Sequence, residues 1–337
     1  MNVFIGANGQ GKTNLLEAVA MLALSSSPRA RREVELIGPV AAASRIEAEV
    51  EAGGVTIELS IGLNVEGERA RRVIEVDGAR RRAFDLPGHF RVTLFWPDDL
   101  GLVKAGPELR RRFLNQMLVQ VEPGYARALA GLRRVLEQRN SLLKRMAAGD
   151  EGSDVLEAWN HEFVQIGSQI AAARAAAVKE LEPDAARSHA EIAAGEHLEV
   201  LYEGPPDDLA EAVHNSLAED LRRGSTSIGP HRDDIRVLLD GKEARAYGSQ
   251  GQQRTAVVSL KLAEAALVAR RTGERPVLLL DDVLSELDGE RRAALLRQVA
   301  GQGQVIITSV EAGPFPPDLI SSSMVWTVIE GTIQACG

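Results

Sequence analysis

Hydrophobic and polar positions along this chain change their period in blocks, and each change marks a different kind of element. The opening "NVFI" is a short apolar run, followed by a glycine-rich segment and then by "TNLLEAVAML", apolar at helical spacing. A strand, a tight loop and a helix are expected there. From about residue 46 to 76, "RIEAEVEAGGVTIELSIGLNVEGERARRVIEV" alternates in period two, which predicts three strands with turns at Gly53, Gly54 and near Gly67. "VTLFWPDDL" (92–100) predicts a further short strand, ended by Pro97.

The texture changes at Pro107. "PELRRRFLNQMLVQV", "YARALAGLRRVLEQRNSLLKRMAAG" and "VLEAWNHEFVQIGSQIAAARAAAVKEL" carry apolar residues at helical spacing, with breaks at Pro123 and residues 149–152. In the last of these, Leu156, Trp159, Phe163, Ile166 and Ile170 share one face. Strand texture returns after about Gly224 with "DDIRVLLDG", then a helix "TAVVSLKLAEAALVARR", then "PVLLLDD" and "QVIITS". The last two are compact apolar runs, as parallel strands buried on both faces require. The pattern therefore predicts an α/β chain with a mostly helical insert, and both flanks are needed to complete one sheet. The expected division is residues 1–104, 105–223 and 224–337. No internal repeat or low-complexity segment is seen.

With 337 residues, 45% of them apolar, the chain can bury a sizeable core. The formal net charge of -9 gives no hint of a polyanionic partner. Basic residues nevertheless cluster at 29–32, 69–72, 80–82 and 110–112, each readable as a solvated face or as a phosphate-contacting surface. The single cysteine, Cys336, excludes an internal disulfide, and the six histidines show no metal-ligand spacing. Glu17 interrupts the apolar stretch after the first loop, and a glycine-rich loop stands where a secretory signal carries basic residues. No uninterrupted apolar run is long enough to span a bilayer. A cytoplasmic protein without a membrane partner is expected.

The chemistry begins with "GANGQGKT", which fits G-x-x-x-x-G-K-[ST] through Gly6, Ala7, Asn8, Gly9, Gln10, Gly11, Lys12 and Thr13. Glycines let successive backbone N–H groups point at phosphate oxygens, and the following helix adds the positive end of its dipole. Lys12 would reach the terminal phosphates and the Thr13 hydroxyl would sit on Mg²⁺. A glycine-rich strand–helix turn with an exposed lysine would give a similar string. At the end of the "PVLLLDD" strand, Asp281 would hold the metal and Asp282 could polarise an attacking water. The alternative is a pair of acids that solvate a strand end or cap the next helix. "YGSQGQQRT" places Ser249, Gly251 and Gln252 at a helix start, where an ordinary N-cap would look the same.

Phosphate loop, S-x-G-Q before a helix, an apolar strand ending in DD, and S-x-L-D (285–288), in that order, resemble the ATP-binding-cassette ATPases. The resemblance implies that Ser249, Gly251 and Gln252 act in trans on ATP held by a second copy, with 285–288 lining the seam. Two positions depart from that pattern. Asp282 stands where a catalytic glutamate is usual, and Thr308 and Ser309 stand where a switch histidine is expected. Both imply slow hydrolysis, so a timed clamp fits better than a motor. A glutamine loop is not evident; "WPDDL" occupies its region.

The compact, broken insert excludes a long antiparallel coiled coil. "GANGQGKTNLLEA", "LFWPDDLGLVKAGPELRRRFLN", "TSIGPHRDD", "YGSQGQQRT" and "LLLDDVLSELD" resemble segments of the RecF family in family order, across nearly the whole chain. That resemblance implies an ABC-type P-loop ATPase head with a helical insert, an ATP-dependent homodimer, weak DNA-stimulated hydrolysis, and binding to single- and double-stranded DNA at gaps or junctions. Work with RecR, RecO and RecA in gap repair, replication restart and the SOS response is implied as well. The basic clusters become candidate phosphate contacts, and "GPHRDD" (229–234) is either a salt-bridge turn or a site element. The runner-up is the nucleotide-binding subunit of a membrane transporter. RecF-like chains carry a strand pair ahead of the phosphate loop, so "NVFI" is expected to be an internal strand of a longer protein.

Overall fold

A computed structural model describes the chain except residues 31, 150, 151, 336 and 337; Glu286 is described by its backbone alone. Arg31 of the first basic cluster, Asp150 and Glu151 of the helical break, and Cys336 thus lie outside the described residues. The strands are β1 Asn2–Ile5, β2 Ala43–Ala52, β3 Val55–Glu66, β4 Arg69–Val76, β5 Ala79–Arg81, β6 Val92–Phe95 and β7 Leu198–Glu203. They continue with β8 Asp234–Leu239, β9 Lys242–Glu243, β10 Val277–Asp281, β11 Val305–Ser309, β12 Met324–Ile329 and β13 Thr332–Ala335. The helices are α1 Lys12–Leu24, α2 Gly101–Lys104, α3 Pro107–Val121, α4 Tyr125–Ala147, α5 Ser153–Ile192 and α6 Leu209–Asn215. After them come α7 Leu217–Arg223, α8 Ala244–Tyr247, α9 Gln250–Thr272, α10 Gly289–Ala300 and α11 Pro317–Ser321.

One six-stranded sheet carries the order β13-β12-β1-β11-β10-β6, parallel except for the closing β12–β13 hairpin. It draws β1 and β6 from before the helical insert and its other strands from after it, so neither flank could bury its apolar strands alone. One face packs on α9 and α10 through Leu262, Leu278, Leu280, Leu295 and Ile307. The other packs on α1 through Leu16, Ala20, Leu94 and Leu279. The alternating segment forms an antiparallel sheet, β2-β3-β4-β5, with its apolar face against Met21 and Leu22 of α1. The three strands read from the period are present, with β5 added beyond the turn at Gly78.

The insert is compact. α5 runs 40 residues and passes through Pro183 without ending; Leu156, Phe163 and Ile170 are buried on the predicted face, with Trp159 and Ile166 packed beside them. Proline removes one backbone donor but leaves this helix continuous, on its exposed side. β7, which helical periodicity did not predict, pairs antiparallel with β8 across residue 223. Ile235, Val237 and Leu239 of β8 and Ala256, Leu260 and Leu267 of α9 join the same core as α3, α4 and α5. The insert is therefore sewn to the helix that begins at Ser249.

Candidate nucleotide site

Every strand that ends at the site does so at the carboxyl edge of the parallel sheet, where open α/β sheets bind ligands. Beyond β1, the amide of Gly6 donates to the Ser309 carbonyl at 3.2 Å, tying the loop to the end of β11. A Cβ on Gly6 would lie 2.4 Å from the Val328 carbonyl oxygen, so the close approach of β12 requires glycine there. Gly9 and Gly11 are left-handed, at φ +81° and +99°. Gln10 fastens the loop's far side: its carbonyl accepts from Gly331 N at 3.0 Å and its Oε1 from Glu330 N at 2.7 Å, both in the β12–β13 turn. Ala7, Asn8 and Gly9 form the exposed crest.

Lys12 opens α1 and folds back over the loop. Its Nζ donates to the carbonyls of Gly6 at 2.6 Å and Ala7 at 2.9 Å, and the side chain is buried. Among the described residues no carboxylate pairs with it, so its charge remains available to an anion cradled by the loop. The neighbouring Thr13 hydroxyl lies 3.1 and 2.9 Å from the two carboxylate oxygens of Asp281, a buried group at the end of β10. Register explains a third member. Asp281 is paired with Thr308 on β11, whose hydroxyl donates to Asp281 Oδ1 at 2.7 Å and accepts from Asp282 N at 3.1 Å. Thr308, expected only as the absence of a histidine, is thus what aims Asp281.

A threonine hydroxyl and a carboxylate converging from two elements form an all-oxygen donor pair suited to a hard divalent cation. Among the described residues no group of three or more His, Cys, Asp and Glu side chains could hold a metal alone. A cation here must complete its shell with water and phosphate oxygens, the habit of Mg²⁺ at nucleotide sites. The residues fit that metal. Asp282 follows with φ 51°, a left-handed conformation that is costly for a non-glycine residue and takes its side chain out of the strand's alternation. Ser285 Oγ donates to its carbonyl at 2.7 Å.

The second predicted group is built separately. Ser249 caps α9 reciprocally with Gln252: the serine hydroxyl accepts from Gln252 N at 3.2 Å, and Gln252 Oε1 accepts from Ser249 N at 2.8 Å. Ser249 is exposed. Among the described residues no hydrogen bond joins Ser249, Gly251 or Gln252 to the phosphate loop. Two neighbours had no signal in the sequence. Arg291, held by Asp288 Oδ2 at 2.7 Å, lies over Gly251, where a Cβ would come 2.8 Å from its Nη1. Asp288 itself caps α10 through Arg291 N at 3.0 Å. Arg292 donates to the carbonyls of Leu284 and Leu287 at 3.1 and 3.0 Å, fixing the turn after β10. The segment 96–100 stands against that turn and α9: Trp96 and Leu100 share a small cavity with Val257, Val283 and Leu287.

The basic clusters divide. Arg110 is buried, with a bidentate bond to Asp234 at 2.5 and 2.8 Å, and Arg111 donates to the Asp233 carbonyl at 2.7 Å. Arg110 is thereby withdrawn from any phosphate surface, while Arg111 stays half-buried. Arg72 also turns inward, to Glu33 and Ser25, whereas Arg69, Arg80, Arg81 and Arg82 are exposed. The open reading of "GPHRDD" resolves toward the salt-bridge turn: Arg174 donates to Pro230 O at 2.5 Å and Asp233 Oδ2 at 2.9 Å, and Tyr202 donates to Asp233 as well. Burial raises the Asp233 carboxyl above the usual carboxylate range despite these partners.

No protein-family model matches the chain. It is 38% identical over 349 residues to the DNA replication and repair protein RecF of Heliobacterium modesticaldum, covering 99% of this chain and 92% of that one. It is 40% identical to the RecF protein of Synechococcus sp. strain JA-3-3Ab, covering 98% and 90%. Among solved structures, RecF with ATP in the RecFOR pathway superposes with a TM-score of 0.90 at 31% identity, over 100% of this chain and 91% of that one. The Smc head bound to the C-winged helix domain of ScpA shares the fold, with a TM-score of 0.55 at 12% identity. These findings do not support the transporter alternative. The chain belongs to the RecF family of DNA replication and repair proteins, and its fold is that of the Smc head as well.

Proposed function

We propose that two copies of this chain close on ATP and Mg²⁺ and that the closed dimer binds DNA at gaps or junctions of single and double strands. The observation that carries this reading is the convergence of Lys12, Thr13 and Asp281 on one loop, with a separate exposed cap at Ser249 left for a partner's nucleotide. Gly6 to Gly11 cradle the phosphates and Lys12 neutralises the terminal ones. Mg²⁺, held by Thr13 and Asp281, would supply charge neutralisation at the phosphate oxygens. Ser249, Gly251 and Gln252 donate from the second copy, and Asp282 orients and deprotonates the attacking water. A carboxylate one methylene short of glutamate, with no histidine beside it, supports weak turnover; its stimulation by DNA is part of the proposal. The three-part division at 104 and 223, a cytoplasmic location, and action with RecR and RecO in support of RecA belong to the same proposal. Among the described residues no helix is long and apolar enough to cross a membrane.

Light scattering with and without ATP, combined with retention on gapped DNA, tests it. Wild type should become a dimer in ATP and hold DNA more tightly, Lys12→Arg should do neither, and Asp282→Asn should trap the dimer. A wild-type chain that stays monomeric in ATP, or DNA retention indifferent to Lys12, would defeat the sandwich. Unchanged turnover in Asp282→Asn would place the base elsewhere.

A further inference from the structure

Elements that lie far apart in sequence meet at the first turn of α9. α5 ends at Ile192, and Gly195, left-handed at φ +90°, turns the chain back toward β7. That turn sets Glu196 against the last turn of α5 and the first turn of α9 together. One carboxylate oxygen, Oε2, lies 3.2 Å from Nε2 of the fully buried His189. The other, Oε1, accepts from Nε2 of Gln252 at 3.2 Å. His189 is held in turn by Ser259 Oγ, 3.3 Å from its Nδ1.

The consequence follows from what each group can donate. A glutamine amide offers a carbonyl on one side and an NH₂ on the other, and it can present either to the backbone of Ser249. Only the carbonyl can accept from Ser249 N. A carboxylate only accepts, so Glu196 admits only the NH₂ of Gln252 and thereby turns its carbonyl to the cap. The Ser249 hydroxyl, already accepting from Gln252 N, keeps its own proton for an acceptor beyond the helix end. Glu196 therefore decides how the cap is set, although it touches neither Ser249 nor a nucleotide.

We propose that Glu196 is a positioning residue for the face presented in trans: it fixes the Gln252 amide, and through it the Ser249 hydroxyl that closes on a second copy's ATP. The assignment rests on the ATP-sandwich reading above. It also joins the end of the insert's longest helix to that face through one side chain, which is how a shift of α5 would reach the nucleotide.

The experiment compares wild type with Glu196→Ala, Glu196→Gln, Gln252→Ala and the Glu196→Ala/Gln252→Ala pair. Amide hydrogen exchange at residues 249–253, without nucleotide, should quicken about tenfold in Glu196→Ala, the scale of one lost hydrogen bond to a charged group. The protein concentration for half-dimerisation in ATP should rise by about a hundredfold, since a symmetric dimer carries the change at two seams. ATP affinity of the monomer should stay at its wild-type value; Glu196→Ala also strips His189 Nε2 of its partner and should lower the melting temperature by a few degrees, which Gln252→Ala, sparing that contact, should not. Glu196→Gln keeps the shape but can donate as well as accept, so it should fold normally and fall between the two. The double variant should dimerise no worse than Gln252→Ala alone. Additive losses in the double variant, or a dimerisation defect that merely tracks a lowered melting temperature, would overturn the assignment. Wild-type dimerisation by Glu196→Ala beside a normal wild-type control overturns the assignment alone. A wild-type chain monomeric in ATP overturns the sandwich and this assignment with it.

Discussion

Gly6 and Lys12 show two different ways in which a single residue is dictated. Lys12 could be assigned from the motif because its chemistry has no packing purpose, and the structure places it over the loop carbonyls. Gly6 matches the same motif, but its necessity comes from Val328, more than three hundred residues later, whose carbonyl oxygen fills the space a methyl would need. Gly6→Ala should therefore cost about 2 kcal/mol or more of stability, because β12 must move to relieve the overlap. Urea denaturation would measure this, and an unchanged midpoint would show that the two strands separate freely. Thr308 makes the same point for the site. A threonine ending an apolar run carries no chemical signature until register sets it beside Asp281.

At the scale of elements, α9 illustrates what periodicity can and cannot reveal. Its apolar spacing predicted a helix, yet both of its faces are covered, by the insert on one side and the sheet on the other. That double burial draws in Lys261 and Glu264, an ion pair at 2.5 Å and 3% and 2% exposed, with the lysine over the Phe113 ring. Burial pushes the Glu264 carboxyl up to about 7 against the pull of Lys261, and raises Asp99 nearby as well. The native chain then binds a proton that the unfolded chain has released, so this group's contribution is full below about pH 4.5 and is lost as pH rises toward 7. His189 and His231, both lowered by burial, act in the opposite sense up to their ordinary value of about 6.5. Comparison with Glu264→Gln isolates the carboxyl. Between pH 5.5 and 7.5 wild type should lose roughly 2 kcal/mol relative to the variant's own trend. Parallel stability curves would show that Glu264 stays ionised in the fold.

Over the whole molecule, the α/β class and the need for both flanks to complete one sheet were legible, because buried parallel strands read as compact apolar runs. β7, β12 and β13 were not. They are short and mixed in polarity, and they become strands only by pairing, β7 with β8 and β12 with β1. The insert's links to α9 were equally hidden, since arginines such as Arg110 and Arg174 look like surface charge until Asp234 and Asp233 enclose them. The division of the basic clusters is a whole-molecule property for the same reason.

The position of β1 has a consequence for how the protein comes into being. Asn2 pairs with Ile306 on one side and Met324 on the other. During synthesis the strand that carries the phosphate loop leaves the ribosome about three hundred residues before its partners and waits for them. Closing a loop of that length costs on the order of 5 kcal/mol of chain entropy, met only when both neighbours dock. The helical core needs nothing beyond Val268 and can form earlier. A chain stopped after residue 303 should accordingly keep its helical circular-dichroism signal and fail to bind ATP; nucleotide binding by that fragment would show that β1 folds without its neighbours. Nascent chains are thus protected from engaging nucleotide, and with it a second copy, until β11 and β12 have been made.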